Sequence, residues 1–142
     1  MLSREQIQAL IPHQGAMCLW DEVLDWSPKR VRLRAHNHRD PAHPLRARGQ
    51  LHAVHLCEYG AQAMAVHGGL RAQAAGGIAR PGLLVALRAI ELHADRIDAL
   101  PNALECEAEV LTESESSQQY AFRIFHDDRL IAEGRAAVML QT

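Results

Sequence analysis

The stretch Leu51-His-Ala-Val-His-Leu-Cys-Glu-Tyr-Gly-Ala-Gln-Ala-Met-Ala-Val-His67 decides the fold. It contains no proline, is rich in alanine and aliphatic residues, and runs into Gly68-Gly69, a pair suited to ending a helix. Apolar residues Leu51, Val54, Leu56, Cys57, Ala61, Met64, Ala65 and Val66 spread almost all the way round a helical wheel, as in a helix buried in a core. Glu58 stands in its middle. Burying a carboxylate costs free energy unless it is paired, hydrogen-bonded or protonated, and a carboxyl group with a raised pKa suits general acid–base chemistry near neutral pH. The competing reading is plainer. His52, His55, Glu58 and Gln62 fall at i, i+3, i+6 and i+10, one narrow polar stripe that can face solvent with Glu58 as an ordinary surface residue.

On the N-terminal side of this helix, Ser3 with Glu5-Gln6 predicts a capped short helix through Leu10, stopped at Pro12. Met17–Trp26 reads as a strand and Ser27-Pro28 as a turn. Val31, Leu33 and Ala35 then alternate with Arg30, Arg32 and Arg34, the period-two signature of a half-buried strand. Asn37 to Gly49, with Pro41 and Pro44, is a loop leading into the helix. On the C-terminal side, Gly76 to Gly82 is a flexible connection. Strands are expected at Leu83–Ala94, Leu104–Leu111 and Gln118–His126, with a turn at Asp127-Asp128 and a final strand at Leu130–Leu140. Leu104, Cys106, Ala108 and Val110 alternate with Glu105, Glu107 and Glu109, so one face of that strand is apolar and the other acidic. Two strands, one long apolar helix and a run of strands predict a single α+β domain over residues 1–142, an antiparallel sheet wrapped on the helix.

Composition narrows the function. With 142 residues, 23% of them charged and a net charge of -2, the chain is long enough for a real core and shows no basic excess for binding nucleic acid. Lys29 is the only lysine, the remaining basic charge being arginine. Cys18, Cys57 and Cys106 stand far apart with no CxxC pair, which argues against a disulfide framework or a zinc ribbon. No signal-peptide pattern or run of membrane-spanning length occurs, so a reducing, cytoplasmic setting is the expectation. His52-x-x-His55-x-x-Glu58 could place three metal ligands on one helix face, but the rest of the chain reads as strands that lack matching helical ligands; no metal or cofactor is expected. Walker, dinucleotide and G-x-S-x-G motifs are absent.

Taken in order, the segments resemble the β-hydroxyacyl-acyl-carrier-protein dehydratases, which have the hot-dog fold. Leu10-Ile-Pro-His13-Gln-Gly-Ala-Met-Cys-Leu-Trp-Asp21-Glu-Val is similar to that family's LPHxxPxLLxDxV opening, and Glu58-Tyr-Gly-Ala-Gln62 to its E-x-x-x-Q helix. Leu83–Ile90, Asp95 and Leu104–Leu111 resemble its next two strands and the turn between them, and Ile131–Leu140 its closing strand. The PH-x-x-x-M opening and the E-x-x-x-Q helix look closest to the dehydratase-like proteins of aryl-polyene pigment clusters.

The resemblance implies a homodimer, or a heterodimer with a related subunit, whose substrate tunnel follows the subunit interface. A helix carboxylate and a histidine there remove water from a 3-hydroxyacyl thioester held on acyl carrier protein. Glu58 carries over as the carboxylate, and Gln62 as a substrate contact or a helix-to-loop hydrogen bond. The family's Gly-His-Phe-Pro loop is missing from Asn37–Gly49, so His13, His43 and His38 all stand as histidine candidates. Arg48-Gly49 replaces the Pro-Gly pair that opens the family's helix, and the Gly49 N–H is the candidate for polarising the thioester oxygen. Arg46, Arg48, Arg71 and Arg80 flank the helix ends as docking points for an acidic carrier protein. Two further readings stay open: a hot-dog acyl thioesterase in which Glu58 activates water, and an inactive subunit supporting a related dehydratase.

Overall fold

Alternation in the sequence becomes one antiparallel sheet. In the computed structural model, which describes residues 1–77, 80 and 82–141, the strands are β1 (Glu22–Ser27), β2 (Arg30–Ala35), β3 (Gly82–Leu92), β4 (Leu104–Glu113), β5 (Ser117–His126) and β6 (Arg129–Leu140). They pair in the order β1-β2-β4-β5-β6-β3. Against β4, Val31 faces Ala108, Leu33 faces Cys106 and Ala35 faces Leu104, all buried. The same register sets Arg30, Arg32 and Arg34 opposite Glu109, Glu107 and Glu105 on the other face. Opposite charges across a strand pair favour this register, and a one-residue slip would move every apolar side chain into water. Arg123 joins the outer ladder at 2.7 Å from Glu107. The arginines of β2 thus serve the sheet's solvent face.

Across the inner face lies the long helix α2 (Leu56–Ala74), preceded by a 3₁₀ turn at Ala53–His55. The sheet wrapped on this helix is the expected hot-dog arrangement. Leu56, Tyr59, Ala63, Val66 and Leu70 of α2 are buried with Leu33, Phe122 and Ile124 of the sheet in one core. A short helix α1 (Arg4–Gln8) begins at Ser3 with a complete capping box to Gln6 and ends before the expected Leu10. Leu2 pairs with Val23 in both directions at 3.0 Å, closing the β1 edge. Met17–Trp26 splits into a 3₁₀ turn at Gly15–Met17, an extended link and β1. Of the connection expected over 76–82, positions 78, 79 and 81 lie outside the described residues. Among the described residues, no helix is long and apolar enough to cross a membrane.

Three expectations about the helix are corrected. It does not stop at Gly68-Gly69; it runs on to Ala74 and ends at Gly76, whose φ of +79° lets the N–H of Gly77 reach the carbonyl of Ala72 at 2.9 Å. A glycine inside a helix costs only about 1 kcal/mol against alanine, too little to end one that buried packing holds. It also starts later, at Leu56, and Leu51 is held ahead of it by its N–H to the Asp98 carboxylate at 3.0 Å. Finally, Glu58 is not buried: its side chain is 51% exposed, 3.4 Å from the His55 imidazole.

Gly60 shows what some helix glycines are for. A Cβ there would lie 2.7 Å from the Phe122 ring, so only glycine lets α2 sit this close to β5. Gly60→Ala should therefore destabilise the fold by about 1–3 kcal/mol in urea denaturation; unchanged stability would mean that the sheet yields freely at Phe122.

Candidate active site

Gln62 fixes the geometry around the helix. Its side-chain oxygen accepts the N–H of Leu19 at 2.9 Å and its amide donates to the carbonyl of Met17 at 2.7 Å. The Trp20 indole donates to the Tyr59 carbonyl at 2.8 Å, and Leu10 crosses directly over Gly69. The segment from Leu10 to Trp20 therefore runs antiparallel to α2, with His13 placed between the Gln62 and Gly69 levels. Gln62 is a helix-to-loop clasp with both ends occupied.

Between that segment, α2 and the sheet lies an apolar groove of about 760 Å³, within the range of roughly 300–1,000 Å³ usual for small-molecule sites. Leu10, Pro12, His13, Met17 and Leu19 form one wall. Glu58, Ala61, Gln62, Ala65 and Gly68 form the second, all on one side of α2. Leu84, Tyr120, Val138 and Leu140 form the third, with Arg80 at its margin. His13 and Glu58, expected from separate motifs, thus line one hollow. The Nδ1 of His13 is buried without a hydrogen-bond partner. A second hollow, about 360 Å³, sits on the charged outer face beside Arg30, Arg32, Glu105 and Glu107, side chains already engaged in the ladder.

The other two candidate histidines lie elsewhere. His43 accepts the Leu45 N–H on Nδ1 at 3.1 Å, so its proton sits on Nε2 and is donated to the Tyr59 hydroxyl at 2.9 Å. Tyr59 in turn donates to Asn37 at 2.7 Å, and Asn37 to the Leu19 carbonyl at 2.9 Å. This one-way chain ties the Asn37–Gly49 loop to the helix and to the groove wall. His38 donates from Nε2 to the Leu100 carbonyl at 2.8 Å and is 1% exposed. Burial lowers the pKa of both, with Arg46 adding to the effect at His43. Burial raises the pKa of the Tyr59 hydroxyl as well.

Gly49, with φ +75°, lies in the Ala47–Gln50 turn several residues ahead of α2, and its carbonyl accepts from Arg46. Arg46 also donates to the His38 carbonyl, and Arg71 holds the Glu113 carboxylate at 2.9 Å. Arg48 is exposed, and Arg80, also exposed, donates to the carbonyls of Glu115 and Gln141. His52 lies outside α2 and is exposed, so it shares no helix face with Glu58. Among the described residues, the side chains close enough to hold a metal ion are Glu91, His93 and Glu133, on the β3–β6 surface away from the groove.

Several residues that shape the site carry no short-range signal. Asn37 and Tyr59 are far apart in sequence, as are His67 and Tyr120, and only the fold brings each pair together. His67 donates from Nε2 to the Ser27 carbonyl and accepts the Tyr120 hydroxyl on Nδ1, both at 2.8 Å, tethering the aromatic ring that walls the groove. Asp98, gripped by Arg96 and by the Leu51 N–H, is held well below the usual carboxylate range and pins the start of the helix segment.

Comparison with known proteins accords with this architecture. The dehydratase heterocomplex ApeI:P from Xenorhabdus doucetiae superposes with a TM-score of 0.86 at 20% identity, covering 100% of this chain and 93% of that one. A mutant of the phenylacetic acid degradation protein PaaI from Thermus thermophilus gives 0.62 at 18% identity, covering 84% and 92%. A hypothetical thioesterase with coenzyme A from Streptococcus pneumoniae gives 0.61 at 11%, covering 84% of each chain. At these identities the likeness establishes the fold. No curated protein matches. The family model described as ApeP dehydratase matches residues 5–142, nearly the whole chain, and the chain belongs to the ApeP-like dehydratase family.

Proposed function

We propose that the groove binds a 3-hydroxyacyl thioester and that His13 and Glu58 remove water from it. The observation that carries this reading is that both side chains line the same apolar groove. His13 takes the proton alpha to the thioester carbonyl. The carbon–carbon double bond forms as the β-hydroxyl departs, and Glu58 in its protonated form supplies the proton that makes the leaving group water. His43 and His38 are less suited, because neither lines the groove, and the His43 ring is bonded at both nitrogens. In this reading Gln62 orients the wall through its bonds to Leu19 and Met17, and Gly49 shapes the turn ahead of the helix.

A second subunit completes the site in this reading. Strand β3 pairs on one side with β6 and forms the far edge of the sheet, while Leu83, Leu84, Val85 and Leu87 are 41–55% exposed. An apolar strand edge of this kind favours pairing with another chain. The partner is another copy or a related hot-dog subunit, as in the ApeI:P heterocomplex. Covering the groove would supply the desolvation at Glu58 that the single chain does not. Arg48 and Arg80, both exposed, are the favoured contacts for an acidic acyl carrier protein bearing the substrate on its phosphopantetheine arm.

The test is a mass-spectrometric assay with 3-hydroxyacyl carrier protein, run forward and as hydration of the enoyl form. The chain is assayed alone and with a related hot-dog subunit. A product lighter by the mass of one water supports the reading. Free acid would mean a thioesterase, and activity that survives loss of both His13 and Glu58 would assign the chemistry to the partner.

A further inference from the structure

Three glycines lie inside α2 and two of them are explained by packing. Gly60 makes room for Phe122, and a Cβ on Gly69 would meet the Leu10 carbonyl oxygen at 2.8 Å. Gly68 has no such reason. A Cβ added there has nothing within 4 Å, and its φ is not in the left-handed region. The helix therefore carries a glycine, at about 1 kcal/mol against alanine, that neither backbone nor core requires. Gly68 does, however, line the groove, together with Ala61 and Ala65 at the i, i+4, i+7 spacing of one helix face. Any larger residue at 68 would project into the hollow.

We propose that Gly68 sets the length of acyl chain that the groove accepts; this rests on the groove being the acyl site. Ten residues separate Glu58 from Gly68, about 15 Å along the axis, so the two lie at opposite ends of the helix wall of the groove. The small side chains of Ala61 and Ala65 leave the path open, and Gly68 keeps its far half from closing. Tyr120, Val138 and Leu140 face this part of the helix as an apolar wall.

The experiment compares wild type, Gly68→Leu and Gly68→Ala in their native assembly. Affinities for butyl- and dodecyl-pantetheine thioethers are measured by calorimetry. Dehydration of 3-hydroxybutyryl and 3-hydroxydodecanoyl carrier protein is followed in parallel. Gly68→Leu should weaken the dodecyl ligand at least tenfold and lower kcat/KM for the long substrate alone, with the short ones unchanged. Gly68→Ala should raise the melting temperature, since the fold has room for the methyl group. Equal effects on both chain lengths, an unchanged length profile, a less stable Gly68→Ala or an altered oligomeric state in Gly68→Leu would each overturn the assignment. Wild type that binds the long thioether but dehydrates neither substrate would reject the dehydratase reading while leaving the role of Gly68 standing.

Discussion

Glu58→Gln should lower the dehydration rate by about 10²–10⁴-fold, the usual contribution of a positioned acid or base. The amide keeps the size and polarity of the carboxyl group but can neither be ionised nor hand over an acidic proton. Because the side chain is 51% exposed, with only the His55 contact, the same substitution should change stability by less than about 0.5 kcal/mol. The two readouts together separate chemistry from folding. His13→Gln should give a comparable loss of activity, whereas His43→Gln should act mainly by loosening the Tyr59 chain. Activity within twofold of wild type in Glu58→Gln would remove the carboxyl group from the mechanism.

Acidification should destabilise the protein by up to about 4 kcal/mol between about pH 7.5 and 5.5, through three buried histidines. Burial lowers the pKa of His38, His43 and His67. Two of them also present an Nδ1 lone pair to a donor, the Leu45 N–H or the Tyr120 hydroxyl, which a second ring proton would oppose. Arg46, His38 and His55 further disfavour charge on His43 while Asp40 favours it; Arg71 opposes and Glu113 favours charge on His67; His126, Arg39 and His36 oppose it on His38. Each folded-state pKa lies below the unfolded value, so the unfolded chain binds more protons as the pH falls through about 6.5. Stability is thus full above that range and declines below it, by up to about 1.4 kcal/mol per pH unit for each histidine. Asp98 acts in a separate window, because its depressed carboxyl contributes stability that is lost only in stronger acid, below the ordinary carboxylate range. Urea denaturation at several pH values reads the slope. His67→Gln should remove one proton's worth of it, and a pH-independent midpoint from 7.5 to 5.5 would show that these rings charge without cost.

Much of the sheet was legible along the chain. The alternations at Val31–Ala35 and Leu104–Val110 predicted half-buried strands, and β2 and β4 bury those apolar positions. The turn at Asp127-Asp128 joins β5 to β6, with both residues at positive φ. The helix was legible as an element but not in its limits. Gly68-Gly69 and Gly76-Gly77 look alike as stop signals, and only the second is placed where the chain leaves the core and can turn left-handed. Glu58 illustrates the same boundary. Its helix is nearly apolar all round, yet the sheet covers one side only and Glu58 points into the open groove.

What the sequence by itself determined is the element order, the two-faced strands and the family, because period and motif are local properties of the chain. Which partners each candidate histidine meets was decided by tertiary structure alone. His13, His38 and His43 look equivalent as polar residues near prolines or loops. Long-range hydrogen bonds then commit the rings of His38 and His43 to Leu100 and Tyr59, and the crossing of Leu10 over Gly69 carries His13 to the groove wall. A side chain's chemistry depends on the partners it meets, and here those partners lie 16 to 62 residues away along the chain.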